Sequence, residues 1–198
     1  MSEVVIIDSG GANLASLQFA LERLGARASV SSDAARIAGA PRVILPGVGS
    51  ARDAMQRLRA LDLIERLPKL EQPVLGICLG MQLLYGLSAE GATPCLGVLP
   101  GTVERLASKP GLPVPHMGWN QLALTTGDPL LEGVNSGDYV YFVHSYAAPV
   151  ADMTLATARY GIDVTAVVRR GNFWGTQFHP ERSGRTGAAI LANFLRVS

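Results

Sequence analysis

Two short stretches of the chain hold residue types at spacings that can do covalent chemistry. In Gly76-Ile77-Cys78-Leu79-Gly80 a thiol sits between glycines two positions to either side, the form of an elbow in which a strand turns sharply into a helix. The sulfur then lies near the N-terminal end of that helix, whose unpaired N–H groups and dipole favour a thiolate. The backbone N–H of Leu79 would point at an oxygen held over the sulfur, half of an oxyanion hole. The plainer reading of a lone cysteine is a buried structural thiol, but the glycine frame and the strand-to-helix switch favour the elbow.

A thiol nucleophile needs a base, and the chain has three histidines. His179 precedes Pro180, which biases it toward extended backbone, so His179 and Glu181 should project to one side. Glu181 can then accept from one ring nitrogen while the other faces the thiol. A surface turn with a fortuitous His and Glu is the alternative. His116, beside Pro115, and His144, after Phe142-Val143, are the other possible bases, and each fits a structural role better. A tetrahedral oxyanion is best held by two donors, and the second is expected from Val48. The glycines on both sides, Gly47 and Gly49, allow its peptide to rotate an N–H inward, unless they serve only a tight turn and close helix packing.

The elements that must position these groups are legible as apolar periodicity. Residues 4–8 form a continuous apolar run, followed by Leu14, Leu17, Leu21 and Leu24 at helical spacing. Residues 42–45 repeat the pattern, leading through Pro46-Gly47-Val48-Gly49 into a helix opened by Ser50. Asp53 stands three positions on, resembling a capping box, and Met55, Leu58, Leu61 and Ile64 form the stripe. A third unit runs from a strand at 74–77 into a helix from 79 to about 87. Three such units imply a parallel sheet covered on both faces. Segments 102–106, 139–143, 154–159, 164–168 and 173–177 read as antiparallel or mixed strands added to that sheet. A closing helix after Gly184 carries Ile190, Leu191, Phe194 and Leu195. The expected fold is α/β, an open mixed, mostly parallel sheet with helices on both faces, flavodoxin-like, with residues 1–198 as a single domain.

Composition narrows the function classes. Hydrophobic residues at 48% and charged residues at 17% exclude a disordered chain, and a net charge of +1 offers no field for nucleic acid or an anionic membrane. The uncharged window 72–89 contains Pro73, Gly76, Gly80, Gln82 and Gly86 and reads as strand, turn and helix rather than a membrane span. Glu3 interrupts any signal-peptide apolar region. Cys78 and Cys95 match no disulfide framework or metal spacing, so a reducing, cytoplasmic setting is expected, with no metal. Arg52 stands where a G-x-G-x-x-G turn would need its third glycine, and no Gly-Lys pair exists for a P-loop; no nucleotide cofactor is expected.

With Gly76-Ile77-Cys78-Leu79-Gly80-Met81-Gln82 and Phe178-His179-Pro180-Glu181, the chain resembles the class I, or triad, glutamine amidotransferases over essentially its whole length. Within that family it looks like the glutaminases that serve imidazole glycerol phosphate synthase. This likeness rests on Pro46-Gly47-Val48-Gly49, His116-Met117-Gly118-Trp119-Asn120, Tyr141-Phe142-Val143-His144-Ser145-Tyr146 and Glu181-Arg182-Ser183. Met81 stands where glutaminases for anthranilate or guanylate synthesis usually have histidine.

The resemblance implies that L-glutamine is hydrolysed to glutamate and ammonia, and that ammonia passes to a (β/α)8-barrel cyclase subunit in histidine biosynthesis. Cys78 would attack the amide, His179 would carry the proton to departing ammonia, and Glu181 would orient His179. Gly49, Gln82, His144, Ser145 and Tyr146 would hold substrate, while Asn13, Trp119, Asn120, Tyr141 and Arg182 would lie toward the partner and the ammonia path. The first turn, Asp8-Ser9-Gly10-Gly11-Ala12-Asn13, lacks the family's tyrosine and its second glycine, and Arg182 replaces the usual lysine. A glutaminase for another synthase, a partner-independent γ-glutamyl hydrolase or cysteine peptidase, and a flavodoxin-like binding module are the competing readings.

Overall fold

The structure is a computed structural model that describes residues 2–8, 10 and 14–197. In its first half, strands and helices alternate as β1 (Glu3–Ile7), α1 (Leu14–Arg23), β2 (Arg27–Ser31), α2 (Ala34–Ala38), β3 (Val43–Gly47), α3 (Ala51–Ala60), β4 (Val74–Cys78) and α4 (Leu79–Leu83). Short strands follow: β5 (Tyr85–Ser88), β6 (Thr93–Pro94), β7 (Leu99–Arg105), β8 (His116–Gln121), β9 (Ala123–Leu124), β10 (Tyr139–His144) and β11 (Tyr146–Ala147). The chain then returns through β12 (Thr154–Tyr160), β13 (Ile162–Arg170) and β14 (Phe173–Thr176) to α5 (Gly184–Phe194).

Eight strands form the central sheet in the order β2-β1-β3-β4-β14-β13-β12-β9. The run from β2 to β14 is parallel, and the last three strands add antiparallel. A strand buried on both faces must be apolar at every position, and β1 shows the result. Val4 and Ile6 pack with Leu17 and Leu21 of α1, and with Ile190 and Phe194 of α5. Val5 and Ile7 pack on the opposite side with Met55 and Leu58 of α3 and Leu79 and Leu83 of α4. Helices therefore cover both faces, as the alternating units imply.

The second half departs from expectation. The helix after Cys78 stops at Leu83 rather than near residue 87, because Tyr85, Leu87 and Ser88 are drawn into a ladder with β7. Long-range strand pairing overrides the local helical spacing there. Strand β7 belongs to a separate four-stranded sheet, β11-β7-β5-β6, and β10 pairs only with β8 in a two-stranded ribbon, so neither extends the central sheet. Helix α3 ends at Ala60, which leaves Leu61 and Ile64 outside it, packed against the core only in part, and gives the buried position to Leu63. Ser50 does cap α3, accepting from Asp53 N at 3.2 Å.

The elbow is set by backbone crowding at two glycines. A Cβ on Gly80 would lie 1.8 Å from the Leu45 carbonyl oxygen, and one on Gly76 would lie 2.8 Å from the Gly80 carbonyl oxygen and the Met81 backbone. Gly80→Ala should therefore cost upward of about 3 kcal/mol of unfolding free energy, since backbone on both elements would have to shift. Gly127→Ala, where nothing lies within 4 Å, should stay within about 0.5 kcal/mol of wild type. Denaturant titration of the two variants checks the contrast.

Candidate active site

Cys78 ends β4 with φ +54 and ψ −112, a conformation that costs a non-glycine residue of order 1–3 kcal/mol and persists only where the surroundings over-determine it. The glycine contacts described above supply that determination. Sγ lies 3.7 Å from the Val143 carbonyl oxygen and 3.9 Å from Nε2 of Gln177, and it hydrogen-bonds with His179. Leu79 begins α4, so its N–H has no partner within the helix. In the β3–β4 ladder Gly47 pairs with Cys78, which puts the Val48-Gly49 turn beside the sulfur. Gly49 takes φ +88, open to glycine at little cost.

His179 and Glu181 meet as expected, with Nδ1 and Oε1 2.9 Å apart and side chains only 13% and 9% exposed, but His179 alone is extended, and the 3-10 turn Pro180–Arg182 makes the contact in place of strand alternation. Burial disfavours the imidazolium, but hydrogen bonds and charge from Cys78 and Glu181 outweigh it and push the His179 pKa up to about 10. His179 is thus a cation at neutral pH, held between two acceptors. Glu181 Oε2 is buried without a hydrogen-bond partner, so the carboxylate's compensation is the imidazolium itself.

These groups open on a cavity of about 390 Å3 lined by Val48, Gly49, Cys78, Leu79, Gln82, His144, Ser145, Tyr146 and His179, together with Glu90, Gly47, Pro115 and Val143. Glu181 and Arg182 line an adjoining cavity of about 160 Å3 that shares Gly47, Val48, Val143 and His179. Glu90 escaped sequence reading because Ala89-Glu90-Gly91 has no motif character. Among the described residues it is the only carboxylate lining the larger of these two cavities, and its Oε2 accepts from Ala51 N at 2.7 Å, the second link at the start of α3. Gln177 was missed as well, although a glutamine in the apolar run Phe173-Trp174-Gly175-Thr176-Gln177-Phe178 is itself a signal; it is fully buried and bonded to Gln82.

The residues expected toward a partner divide. Trp119 and Tyr141 are cross-strand partners on the β8–β10 ribbon, edge to face at 5.9 Å, and the Arg182 guanidinium lies 5.0 Å from the Tyr141 ring centroid. Met117 and Trp119 on this face are more than half exposed. Asn120 lies on the opposite face, bonded to the Arg159 carbonyl and near His116. Asn13 lies outside the described residues, as do Ser9 and Ala12. Cys95 is half-buried and donates to the Thr93 carbonyl, and burial pushes its thiol up to about 11. Among the described residues no three His, Cys, Asp or Glu side chains converge as metal ligands, and no helix is long and apolar enough to cross a membrane.

The sequence model of the class I glutamine amidotransferase family matches residues 5–197. Over 197 residues the chain is 54% identical to the imidazole glycerol phosphate synthase subunit HisH of Xylella fastidiosa strain Temecula1, covering 100% of this chain and 98% of that one. The subunit of the same name from Xanthomonas axonopodis pv. citri is 54% identical over 198 residues, covering 100% and 99%. Among solved structures, PurLQS from Thermotoga maritima superposes with a TM-score of 0.71 at 22% identity, over 98% of each chain. The glutaminase domain of Trypanosoma brucei CTPS gives 0.64 at 14% identity, over 100% of this chain and 95% of that one. At those identities the structural matches speak to the fold alone.

The charge state of His179 is directly measurable. Its ring should stay doubly protonated at pH 8 and titrate near pH 10 in nitrogen NMR spectra. Cys78→Ala and Glu181→Gln should each lower that midpoint, since each removes a group that favours the cation and leaves the burial that opposes it. A wild-type midpoint near 6.5 would refute the ion-pair geometry.

Proposed function

The chain belongs to the class I glutamine amidotransferases, and from that membership we propose how its residues carry out glutamine hydrolysis. It is the glutaminase subunit of an imidazole glycerol phosphate synthase, an enzyme of histidine biosynthesis. The observation that carries the residue-level reading is the strained Cys78 elbow facing the His179–Glu181 pair across one cavity.

In this reading the Cys78 thiolate attacks the side-chain amide carbon of L-glutamine, and the carbonyl electrons move onto oxygen. Leu79 N–H and, after rotation of its peptide, Val48 N–H hold that oxyanion, each contributing about 3 kcal/mol. The His179 imidazolium gives its proton to the amide nitrogen, the C–N bond breaks and ammonia leaves a thioester. Neutral His179 then takes a proton from water as its oxygen attacks the thioester carbon. Collapse of the second tetrahedral intermediate expels the Cys78 thiolate, releases glutamate and restores the imidazolium. Glu181 keeps Nδ1 engaged so that Nε2 faces the sulfur and the leaving group. Gly49, Gln82, His144, Ser145 and Tyr146 hold the substrate, and Glu90 is the natural counter-charge for its α-ammonium.

Ammonia released here passes to a (β/α)8-barrel cyclase subunit. The exposed face with Trp119 and Tyr141, and Arg182 beside it, supports the docking side, and Asn13 belongs to the same group. Residues 1–198 act as one amidotransferase domain in the cytoplasm, where a thiol nucleophile stays reduced. We infer further that the Val48 peptide of the free chain is turned away from the oxyanion site and that the liganded cyclase favours the flipped form, a rotation that the φ of +88 at Gly49 supports, so that hydrolysis waits for the acceptor.

Cys78→Ala should abolish glutamine-dependent synthesis by the assembled enzyme and leave synthesis from free ammonia intact. Loss of both, in a complex that still assembles, would contradict the division of labour. Glu90→Gln should raise KM for glutamine roughly tenfold or more, the scale of a lost charge-assisted hydrogen bond, with kcat within about threefold. Steady-state kinetics decide it, and an unchanged KM removes Glu90 from the site.

A further inference from the structure

Two of the three histidines take no part in the proton transfers above, yet both are buried and bonded to one another, His116 Nδ1 to His144 Nε2 at 2.9 Å. Their protonation pattern follows from the ends of the chain they form. His144 Nδ1 lies 2.8 Å from the Tyr146 carbonyl oxygen, which can only accept, so that nitrogen carries the hydrogen. Burial pushes both imidazoles down to about 4, so each is neutral. His144 Nε2 is therefore a bare lone pair, His116 Nδ1 must donate to it, and His116 Nε2 is left as an acceptor facing Asn120 Nδ2 at 3.4 Å. The amide of Asn120 is oriented to match, because its oxygen accepts from Gln121 N at 2.8 Å and its nitrogen donates to the Arg159 carbonyl. Every bond points one way, from Asn120 through His116 and His144 to the Tyr146 carbonyl.

That carbonyl accepts a second bond, from Gln82 Nε2 at 2.8 Å, and the other amide hydrogen of Gln82 goes to Gln177 Oε1 at 2.9 Å. Both hydrogens of Gln82 are thereby engaged, and its Oε1 is the polar end left for the cavity that it lines. We propose that His116 and His144 are positioning residues of the glutamine pocket. Their one-way hydrogen-bond chain holds the Tyr146 carbonyl where it fixes Gln82 with its side-chain oxygen turned to an N–H of the substrate. The proposal rests on the glutaminase reading and adds to it His116, which lies outside the lining of the cavity, and a defined positioning role for His144.

The geometry allows the hydrogen bond and the packing of His116 to be separated. Its ring is stacked between Phe142 and Tyr160, with centroids at 4.8 and 4.0 Å and planes within 21° of parallel. His116→Phe keeps a ring in that sandwich and removes the donor. His144 Nε2 then faces hydrocarbon with its lone pair unpaired, and the ring can regain a partner only by turning toward the cavity it lines, which withdraws the Nδ1 hydrogen from the Tyr146 carbonyl. His116→Asn loses the stack but places an amide N–H near the position of Nδ1.

Glutamine hydrolysis by the full-length chain assembled with its cyclase, measured beside the unfolding temperature of each variant, tests the assignment. His116→Phe should raise KM about tenfold with kcat within about threefold. His116→Asn should hold KM within about threefold of wild type while unfolding at a lower temperature. A wild-type KM in His116→Phe, or a KM that rises in both variants in step with lost unfolding temperature, overturns the proposal. Cys78→Ala assayed alongside separates the two levels: if it keeps activity, the glutaminase reading itself fails, whereas a dead Cys78→Ala with a normal His116→Phe removes only the relay.

Discussion

The close approach of β3 to the start of α4 is the constraint on which the rest of the site depends. With no Cβ at Gly80, its backbone can lie against the Leu45 carbonyl, and with none at Gly76 the chain can fold back over itself within four residues. That crowding forces Cys78 into a conformation with positive φ and lifts the sulfur out of the strand into the cavity. It also fixes Gly47 beside Cys78 in the ladder, so the turn that follows β3 reaches the sulfur without any long-range device. Nucleophile and both proposed oxyanion donors are therefore products of one backbone contact, and apolar packing on both faces of the sheet keeps it from relaxing.

Charge is distributed just as unevenly. Three histidines lie within one region, and their surroundings divide them into one cation and two neutral rings. His179 has an acceptor on each side and is charged despite its burial. His116 and His144 have each other, two aromatic faces and the Tyr146 carbonyl, and although that carbonyl favours a cation on His144, desolvation outweighs it. A second imidazolium beside His179 would repel the first, so keeping the other two rings neutral favours the charged state of His179.

Features set by local geometry were legible in the sequence. The glycine frame of Cys78 and the Ser50 cap each depend on backbone preferences within five residues and stand where the pattern put them, and His179 is extended before its proline; Pro180–Arg182, however, turns as a 3-10 helix, so the His179–Glu181 contact comes from that turn and not from strand alternation. What escaped depends on partners far along the chain. Tyr85 to Ser88 has helical spacing behind α4, but the unpaired edge of β7 claims it. Segment 139–143 looks like one more strand of the central sheet, and only the covering role of the ribbon's inner face, with Val140 and Phe142 packed against the α5 layer, decides otherwise. Glu90 has no motif around it and matters because it lines the cavity that Cys78 opens on, whereas Gln177 stood out only as a polar residue in an apolar run and matters through its bond to Gln82.

The ribbon and the triad are also one piece of structure. His179 N donates to the Tyr141 carbonyl at 3.0 Å, and Ser183 Oγ joins Tyr141 N at 2.9 Å to the His179 carbonyl at 2.7 Å. Arg182, next to the general acid, lies over the Tyr141 ring, and Trp119 packs on that ring from the neighbouring strand. The outer face of the ribbon thus carries exposed aromatics, its edge is stitched to the backbone of His179, and its inner face holds His116 and His144. On the proposed reading, ordinary hydrogen bonds connect this outer face, where the cyclase would dock, to His179 and to the Tyr146 carbonyl that holds Gln82, so two strands and one turn would serve docking and chemistry together.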